Sequence, residues 1–211
     1  MDGTLSAALG LGFLLGIRHA MDADHVAAVS TFVSQHRSLA RSCLLGTFWG
    51  LGHTVALLAA GVATIVLRLS ISPELERTFE KGVGFMLILL GGHVLLRLLS
   101  HRHGDAVHCH DHADPLPIGS RPFLVGLLHG MAGSAALMLL VATAIPSPFG
   151  GFLYILVFGA GSTIGMLVLS GLIGLPFVVT REWSPRAQVI VQALAGVSSS
   201  AIGLTLLWET T

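Results

Sequence analysis

The chain carries a charged segment, Arg18-His19-Ala20-Met21-Asp22-Ala23-Asp24-His25, in apolar surroundings. It stands inside an apolar stretch that runs from Leu5 to Val33. As one helix this stretch would measure roughly 43 Å, whereas the hydrocarbon core of a bilayer is about 30 Å thick. The charged groups therefore lie at or near membrane depth, where each costs about 2.5–3.5 kcal/mol. Such groups persist there when they pair, bind an ion or line a water-filled path.

The composition of the whole chain is that of a membrane protein. Hydrophobic residues make up 53% and charged residues 10%, against about 25% charged in soluble domains. The net charge is zero with neutral histidines, which argues against a nucleic-acid partner. The two cysteines, Cys43 and Cys109, are far apart and do not indicate a disulfide framework. Met1–Thr4 lacks a basic region, so we interpret it as the start of the first span.

Six apolar stretches have the length of membrane spans. The fourth ends at Pro146-Ser147-Pro148, which cannot continue a helix. A polar stretch, His101–Gly119, separates the third from the fourth. The six stretches are Leu5–Val33, Cys43–Leu69, Phe79–Leu99, Pro122–Ile145, Phe149–Val179 and Ala187–Trp208.

The two halves of the chain resemble each other. His19-Ala20-Met21 recurs as His129-Gly130-Met131, and Gly50-Leu51-Gly52-His53-Thr54 recurs as Gly159-Ala160-Gly161-Ser162-Thr163. Because a three-helix unit ends on the opposite side of the membrane, its copy is inverted, as in many secondary transporters. The sequence therefore predicts an all-α polytopic membrane protein of six transmembrane helices in two inverted repeats. These are 1–100 and 121–211, joined by a His-rich loop at 101–120.

Arginine and lysine are distributed unequally between the two sides of this predicted topology. One side carries Arg68, Arg77 and Lys81, and the other carries more than twice as many. Positive-inside bias therefore predicts a multi-pass protein of the cell (inner) membrane, with both termini outside and the His-rich loop in the cytoplasm. The residues of the richer side are Arg37, Arg41, Arg97, Arg102, Arg121, Arg181 and Arg186.

The charged motif has the chemistry of a metal site. On a regular helix His19, Asp22 and His25 share one stripe and Asp24 points away. Either the helix unwinds locally, or Asp24 orients a ligating histidine from behind. Imidazole and carboxylate ligands suit divalent nickel, cobalt and zinc. The alternative is a structural salt-bridge cluster in which Arg18 pairs with Asp22 or Asp24.

Two further histidines lie at membrane depth and could join the site. His53, in the second stretch between Gly52 and Thr54, is interpreted as a ligand; the alternative is a buried histidine with one hydrogen bond. His129 matches His19 in the repeat and could line the site or the ion path, although no carboxylates follow it. His93 is interpreted as a packing or interface residue.

The loop between the two halves is a second metal signal. Five of the eleven histidines, one cysteine and two aspartates fall within twelve residues. Flexible tracts of this composition capture divalent metals, and the alternative is a polar linker. The predicted capture residues are His101, His103, His108, Cys109, His110 and His112.

The run Arg-His-Ala-x-Asp-Ala-Asp-His over 18–25 and the run Gly-Leu-Gly-His53-Thr resemble the two motifs of the nickel/cobalt transporter (NiCoT) family. The likeness is to its short branch, which includes urease-accessory nickel permeases. It implies a secondary permease, not an enzyme, that moves Ni²⁺ or Co²⁺ as substrate and holds no prosthetic group. It implicates His19, Asp24 and His25, then Asp22 and His53. A cytoplasmic nickel enzyme or metallochaperone is the expected protein partner, beside the bilayer.

Other classes of protein explain the sequence less well. A metal exporter of the same fold fits the His-rich loop. A membrane metalloenzyme would need more histidine motifs, such as His-Glu-x-x-His, than occur here. A thiol-electron carrier needs paired intramembrane cysteines, and a primary pump needs a Walker loop; neither is in the sequence. The chain could still be the membrane part of a complex with a separate ATPase.

Overall fold

A computed structural model describes residues 3–36, 38–69, 72–100, 119–132 and 141–210, without the side chains of 181–183. All regular structure in these ranges is helical, and residues 141–144 are a short helical segment. The named helices are α1 (Gly3–His19), α2 (Ala23–Val33), α3 (Leu39–Gly61), which continues as a π-helix over Val62–Val66, α4 (Pro73–Ser100), α5 (Ser120–His129), α6 (Pro148–Trp183) and α7 (Pro185–Glu209).

The described helices confirm an all-helical, multi-pass membrane protein. Four stretches are long and apolar enough to cross a bilayer. Helices α1 and α2 pass the same test together as a span bent by 55°, which gives up to five spans. The fourth predicted span, 122–145, falls partly on residues 133–140, outside the described ranges, so six spans remain a prediction. The four stretches are Leu39–Val66, Pro73–Ser100, Pro148–Thr180 and Pro185–Glu209.

The first predicted span unwinds within the charged motif, one of the two alternatives drawn from the sequence. Helix α1 ends at His19, and the N–H groups of Met21 and Asp22 donate to the carbonyls three residues earlier at 2.9 and 3.0 Å. Asp22 then adopts an extended conformation (φ −61°, ψ 148°) before α2 begins at Ala23. The break frees backbone groups in the middle of the protein, which transport sites commonly exploit.

Local sequence signals explain several helix ends. Ser147 and Ser184 each precede a proline, and each hydroxyl accepts a hydrogen bond from the backbone N–H three residues later. Serine at this position with proline next is a standard helix start. The helix that continues past Gly61 ends near Arg68, whose φ of 54° is left-handed, as is common just after a helix.

Helix α3 lies at the centre and packs against α5 and α6, while α1 packs against α6 and α4 against α7. Glycines allow these close approaches. A Cβ on Gly52 of α3 would overlap the carbonyl oxygen of Phe123 in α5, and a Cβ on Gly161 of α6 would overlap that of Phe13 in α1. These residues correspond in the two halves (161 − 52 = 109; 123 − 13 = 110). Matching residues of the two halves therefore make matching contacts.

The same reciprocity holds between the two central helices and between α4 and α7. Thr54 in α3 lies 3.3 Å from its counterpart Thr163 in α6, hydroxyl to hydroxyl. A Cβ on Gly84 would lie 2.9 Å from the Gly203 carbonyl oxygen, and one on Gly196 would lie 3.1 Å from that of Gly91. These two contacts correspond in the two halves (196 − 84 = 112; 203 − 91 = 112). Each half thus contributes the same kind of small-residue surface to the shared interface.

Gly52→Ala should destabilise the protein by about 1–3 kcal/mol, as overpacking does, because the added methyl group meets the backbone of α5. The matched control is Gly92→Ala, since a Cβ at Gly92 meets no atom of the described residues within 4 Å. Alanine favours helix over glycine, so the control should be neutral or slightly stabilising. Thermal unfolding of both purified variants checks this, and equal melting temperatures would contradict the packing.

Candidate metal centre

Four buried histidines from four helices meet where α1 breaks into α2. His19 is the last residue of α1, His25 lies in the first turn of α2, His53 lies in the middle of α3, and His129 is the last residue of α5. Their exposed fractions are 7%, 1%, 2% and 2%. Imidazoles this buried need polar partners, and each has another histidine or an aspartate beside it.

The first group of candidate ligands consists of three imidazoles. One nitrogen from each of His19, His25 and His53 lies within 4.8 Å of the other two, and the Nε2 atoms of His19 and His53 are 3.1 Å apart. Two metal–nitrogen bonds of about 2.0–2.1 Å at a tetrahedral angle place their nitrogens roughly 3.3 Å apart. The spacing of His19 and His53 therefore suits a shared divalent ion.

Two aspartates contact the Nδ1 atoms of two histidines in this group. The Nδ1 of His19 lies 2.7 Å from an Asp22 carboxylate oxygen, and the Nδ1 of His25 lies 3.0 Å from Oδ1 of Asp24. Asp24 Oδ1 also accepts the backbone N–H of His25 at 2.9 Å. A carboxylate on one nitrogen fixes the ring and leaves the other nitrogen for a metal. Asp22 and Asp24 thus act on the ligands in this group.

A second group overlaps the first. Asp24, His25 and His129 each offer a ligand atom within 4.8 Å of the others. The Nε2 of His129 lies 2.7 Å from Oδ2 of Asp24, and the rings of His25 and His129 have centroids 4.3 Å apart. This group unites the charged motif with the second half of the chain. His25 belongs to both groups.

Several buried ring nitrogens of the cluster lack a hydrogen-bond partner in the part of the chain that the structure describes. They are His25 Nε2, His53 Nδ1 and His129 Nδ1. Leaving a buried polar atom unpaired costs about 1–3 kcal/mol. For His25 an ion explains the arrangement, because its other nitrogen is already engaged by Asp24.

Two helix ends also favour a cation here. Both α1 and α5 end at a cluster histidine, His19 and His129, so the C-terminal ends of both helices lie at the site. The C-terminal end of a helix carries about half a negative charge. The N-terminus of α2 has the opposite sign, and Asp24 lies within its first turn, where a carboxylate is stabilised.

A small cavity of about 90 Å³ leads to the cluster. His53 is not among its lining residues. Glu80 of α4 also lines this cavity. The sequence analysis did not predict this residue. The feature that could have indicated it is a carboxylate inside the predicted third span. The cavity is far smaller than the roughly 300–1,000 Å³ pockets of organic ligands. Its lining residues are His19, Asp22, Asp24, His25, Glu80, Val83, His129, Ala132 and Leu206.

Aromatic rings close the cluster on other sides. Trp49, one turn before His53, stacks on His25 with a centroid distance of 5.8 Å and an angle of 13°. Phe158 of α6 lies 5.6 Å from His19. Both rings are buried, so an ion at the histidines would be shielded from water on these sides, and its electrostatic attraction to them would be stronger.

The remaining sequence predictions have different outcomes. Within the described ranges Asp22 and Asp24 pair with histidines. The alternative in which Arg18 pairs with one of these aspartates was therefore wrong. His93 has an exposed side chain on α4 and does not join the cluster. The predicted capture residues of the loop lie outside the described residues. They are His101, His103, His108, Cys109, His110 and His112.

Comparison with known proteins places the chain in a family. The family NicO, described as high-affinity nickel-transport protein, matches residues 5–104. The urease accessory protein UreH of Bacillus sp. (strain TB-90) is 39% identical over 211 residues, covering 97% of this chain and 92% of its own length. No solved structure matches the chain significantly.

More distant relatives match over most of this chain. The chloroplast protein FOR GROWTH AND FERTILITY 1 of Arabidopsis thaliana is 30% identical, over 92% of this chain and 56% of its own length. A protein named as a nickel/cobalt efflux system in Methanocaldococcus jannaschii is 25% identical, over 81% of this chain and 75% of its own length. The chain therefore belongs to the NicO family of high-affinity nickel-transport proteins.

Proposed function

We propose that this protein is a secondary transporter that moves Ni²⁺ or Co²⁺ across the cell (inner) membrane through the histidine cluster. One observation carries the proposal: His19, His25 and His53 are buried at a helix break, with ligand nitrogens within 4.8 Å of one another. Three neutral imidazoles suit a borderline divalent ion. Many secondary transporters bind their ion at a broken helix near the midplane of the membrane.

The cavity supports an ion as cargo over an organic substrate. Its volume of about 90 Å³ leaves room for an ion and a few waters but not for a substrate that an enzyme would transform. Asp22 and Glu80 contribute carboxylates to its lining, and carboxylates attract a divalent cation from water. Family membership supports the same cargo, since NicO proteins are described as nickel transporters. We therefore propose a transporter rather than an enzyme, with the ion as substrate.

We further propose that the fold comprises two inverted three-helix repeats, 1–100 and 121–211, around the midplane contact of Thr54 with Thr163. The reciprocal glycine contacts support this arrangement. With the positive-inside bias it places both termini outside and the segment 101–120 in the cytoplasm. The cavity at Glu80, near the start of α4, then faces the outside. The histidines of 101–120 would collect ions at the cytoplasmic face.

The direction of transport in this proposal is inward. An outward-facing cavity fits uptake, and the likeness to a urease accessory protein fits delivery to a cytoplasmic nickel enzyme or its metallochaperone. Export is the alternative, since one relative is named as an efflux system.

Proteoliposomes that contain only this chain should accumulate radiolabelled Ni²⁺ or Co²⁺ without ATP, down the ion's own gradient. Liposomes without protein provide the baseline. Protease accessibility of the segment 101–120 sorts the two insertion orientations, so that inward and outward flux can be assigned separately. A need for ATP and a second protein would contradict the proposal, because the chain would then be the membrane part of a pump.

Acidification should weaken ion binding. An imidazole must be unprotonated to bind a metal, so protons compete with the ion for the ring nitrogens. Equilibrium binding of Ni²⁺ by the purified protein should therefore weaken as the pH is lowered, with protons released on binding at any pH where the free imidazoles are protonated. Ni²⁺ binding that does not weaken down to the lowest pH at which the protein stays folded would contradict imidazole ligands.

A further inference from the structure

We propose that the ion occupies two alternative positions that share His25, and passes from one to the other during transport. The cavity-facing position consists of Asp24, His25 and His129, and the deep position consists of His19, His25 and His53. This inference rests on the proposed function and adds a pathway to it. It also gives the second half of the chain, through His129, a direct part in binding.

The two positions differ in their access to the cavity. All three residues of the cavity-facing position line the cavity. In the deep position His19 and His25 line it, whereas His53 does not. An ion that enters past Glu80 therefore reaches Asp24 and His129 before it can reach His53.

The chemistry of His25 makes the positions exclusive. A neutral imidazole has one nitrogen with a free lone pair and one N–H. The Nδ1 of His25 faces Asp24 at 3.0 Å, and its Nε2 is buried without a partner among the described residues. His25 can therefore bind an ion at only one position at a time. The protein then holds a single ion, which exchanges one set of neighbours for the other.

The ligands of the two positions suit successive stages of entry. The cavity-facing position includes the Asp24 carboxylate, whose oxygen binds an ion that still carries water. The deep position has three imidazoles, which favour nickel and cobalt over magnesium and calcium. Transfer from the first to the second therefore replaces oxygen by nitrogen. The ring centroids of His25 lie 4.3 Å from His129 and 4.5 Å from His19, so the displacement is short.

A structural role for His129 makes a different prediction. Its Nε2 lies 2.7 Å from Asp24, and this contact alone could tie α5 to α2. Glutamine at 129 can donate an amide N–H to the same carboxylate but has no imidazole lone pair. His129→Gln therefore separates the two roles, because it retains the tie and removes the ligand. His53→Gln removes a ligand from the deep position alone, and His93→Gln is the control on an exposed face of α4.

The experiment uses purified full-length protein with Co²⁺, whose visible absorption reports its ligands, and Ni²⁺ flux in proteoliposomes. The wild type should bind one Co²⁺. His129→Gln should bind one Co²⁺ with a spectrum close to that of the wild type. His53→Gln should bind one Co²⁺ with a changed spectrum and an affinity weaker by roughly tenfold or more. Both variants should keep the melting temperature of the wild type and lose Ni²⁺ flux, whereas the His93→Gln control keeps flux. The variant that combines His53→Gln with His129→Gln should bind no ion.

Two results would overturn the two-position pathway while leaving the proposed transporter intact. One is normal Ni²⁺ flux in His129→Gln, which would show that His129 only connects α5 to α2 through its contact with Asp24. The other is complete loss of Co²⁺ binding in His53→Gln, which would leave a single site. A wild type that binds no Co²⁺ or Ni²⁺ and carries no flux would overturn the proposed function itself.

Discussion

Replacing His25 with alanine should abolish Ni²⁺ flux while the folded protein remains in the membrane. His25 is 1% exposed, and both candidate ligand groups among the described residues depend on it. Within the described part of the chain its Nε2 is buried without a hydrogen-bond partner, so removing the ring removes little hydrogen bonding there except that with Asp24. We expect flux per folded molecule to fall to background.

Flux and melting temperature should be measured on the same purified His25→Ala protein. The substitution also removes the stacking contact with Trp49, so some loss of thermal stability is expected and has to be separated from loss of function. His93→Ala is the matched control, because its side chain is an exposed imidazole on a spanning helix. Poor folding with normal flux in the remaining folded molecules would show that the cluster is structural.

Asp24→Asn should reduce Ni²⁺ flux by about 10–100-fold or more, the usual effect of removing a carboxylate that orients a ligating histidine. Asp24 contacts His25 at 3.0 Å and His129 at 2.7 Å, so its charge acts on both groups of ligands. Asparagine keeps the size and one oxygen acceptor and therefore keeps much of the packing. The measurements are Ni²⁺ affinity and flux, each per folded molecule.

A structural salt bridge would give the opposite pattern for Asp24→Asn. Removing one partner of a buried ionic pair costs about 3–5 kcal/mol, and the flux of the surviving folded protein would be near normal.

Asp22→Asn provides a comparison of smaller expected effect. Its side chain is 49% exposed and contacts only His19 among the cluster histidines, at 2.7 Å, so we expect a smaller loss of affinity than for Asp24→Asn.

Much of the membrane architecture and part of the site could be predicted from the sequence. The apolar lengths predicted the spanning helices, because burial in lipid requires long uninterrupted apolar runs. The charged motif indicated a functional site within the first apolar stretch, because charges at membrane depth are costly. Periodicity could not decide whether the helix runs straight through the motif. The break at Ala20–Asp22 depends on how α1 and α2 pack against α6 and α7, which local spacing does not encode.

The contribution of the second half was the hardest to predict. The repeat matched His129 to His19, but the contact of His129 with Asp24 spans 105 positions in sequence and depends on how α5 packs against α3. The structure also shows which carbonyls Gly52 and Gly126 meet, those of Phe123 and Trp49, and sequence spacing does not encode these contacts. Glu80 gave a weak signal, because one carboxylate near the end of an apolar helix is common at a membrane surface.

X-ray absorption at the nickel edge tests the central claim most directly. Purified protein loaded with one equivalent of Ni²⁺ should show imidazole scattering from at least two histidines, with nitrogen ligands at about 2.0–2.1 Å, as for other divalent ions. His25→Ala, loaded at the same ratio, should lose bound Ni²⁺ or show mainly oxygen ligands. A wild-type spectrum with only oxygen ligands, or one that His25→Ala leaves unchanged, would contradict an ion site at the histidine cluster.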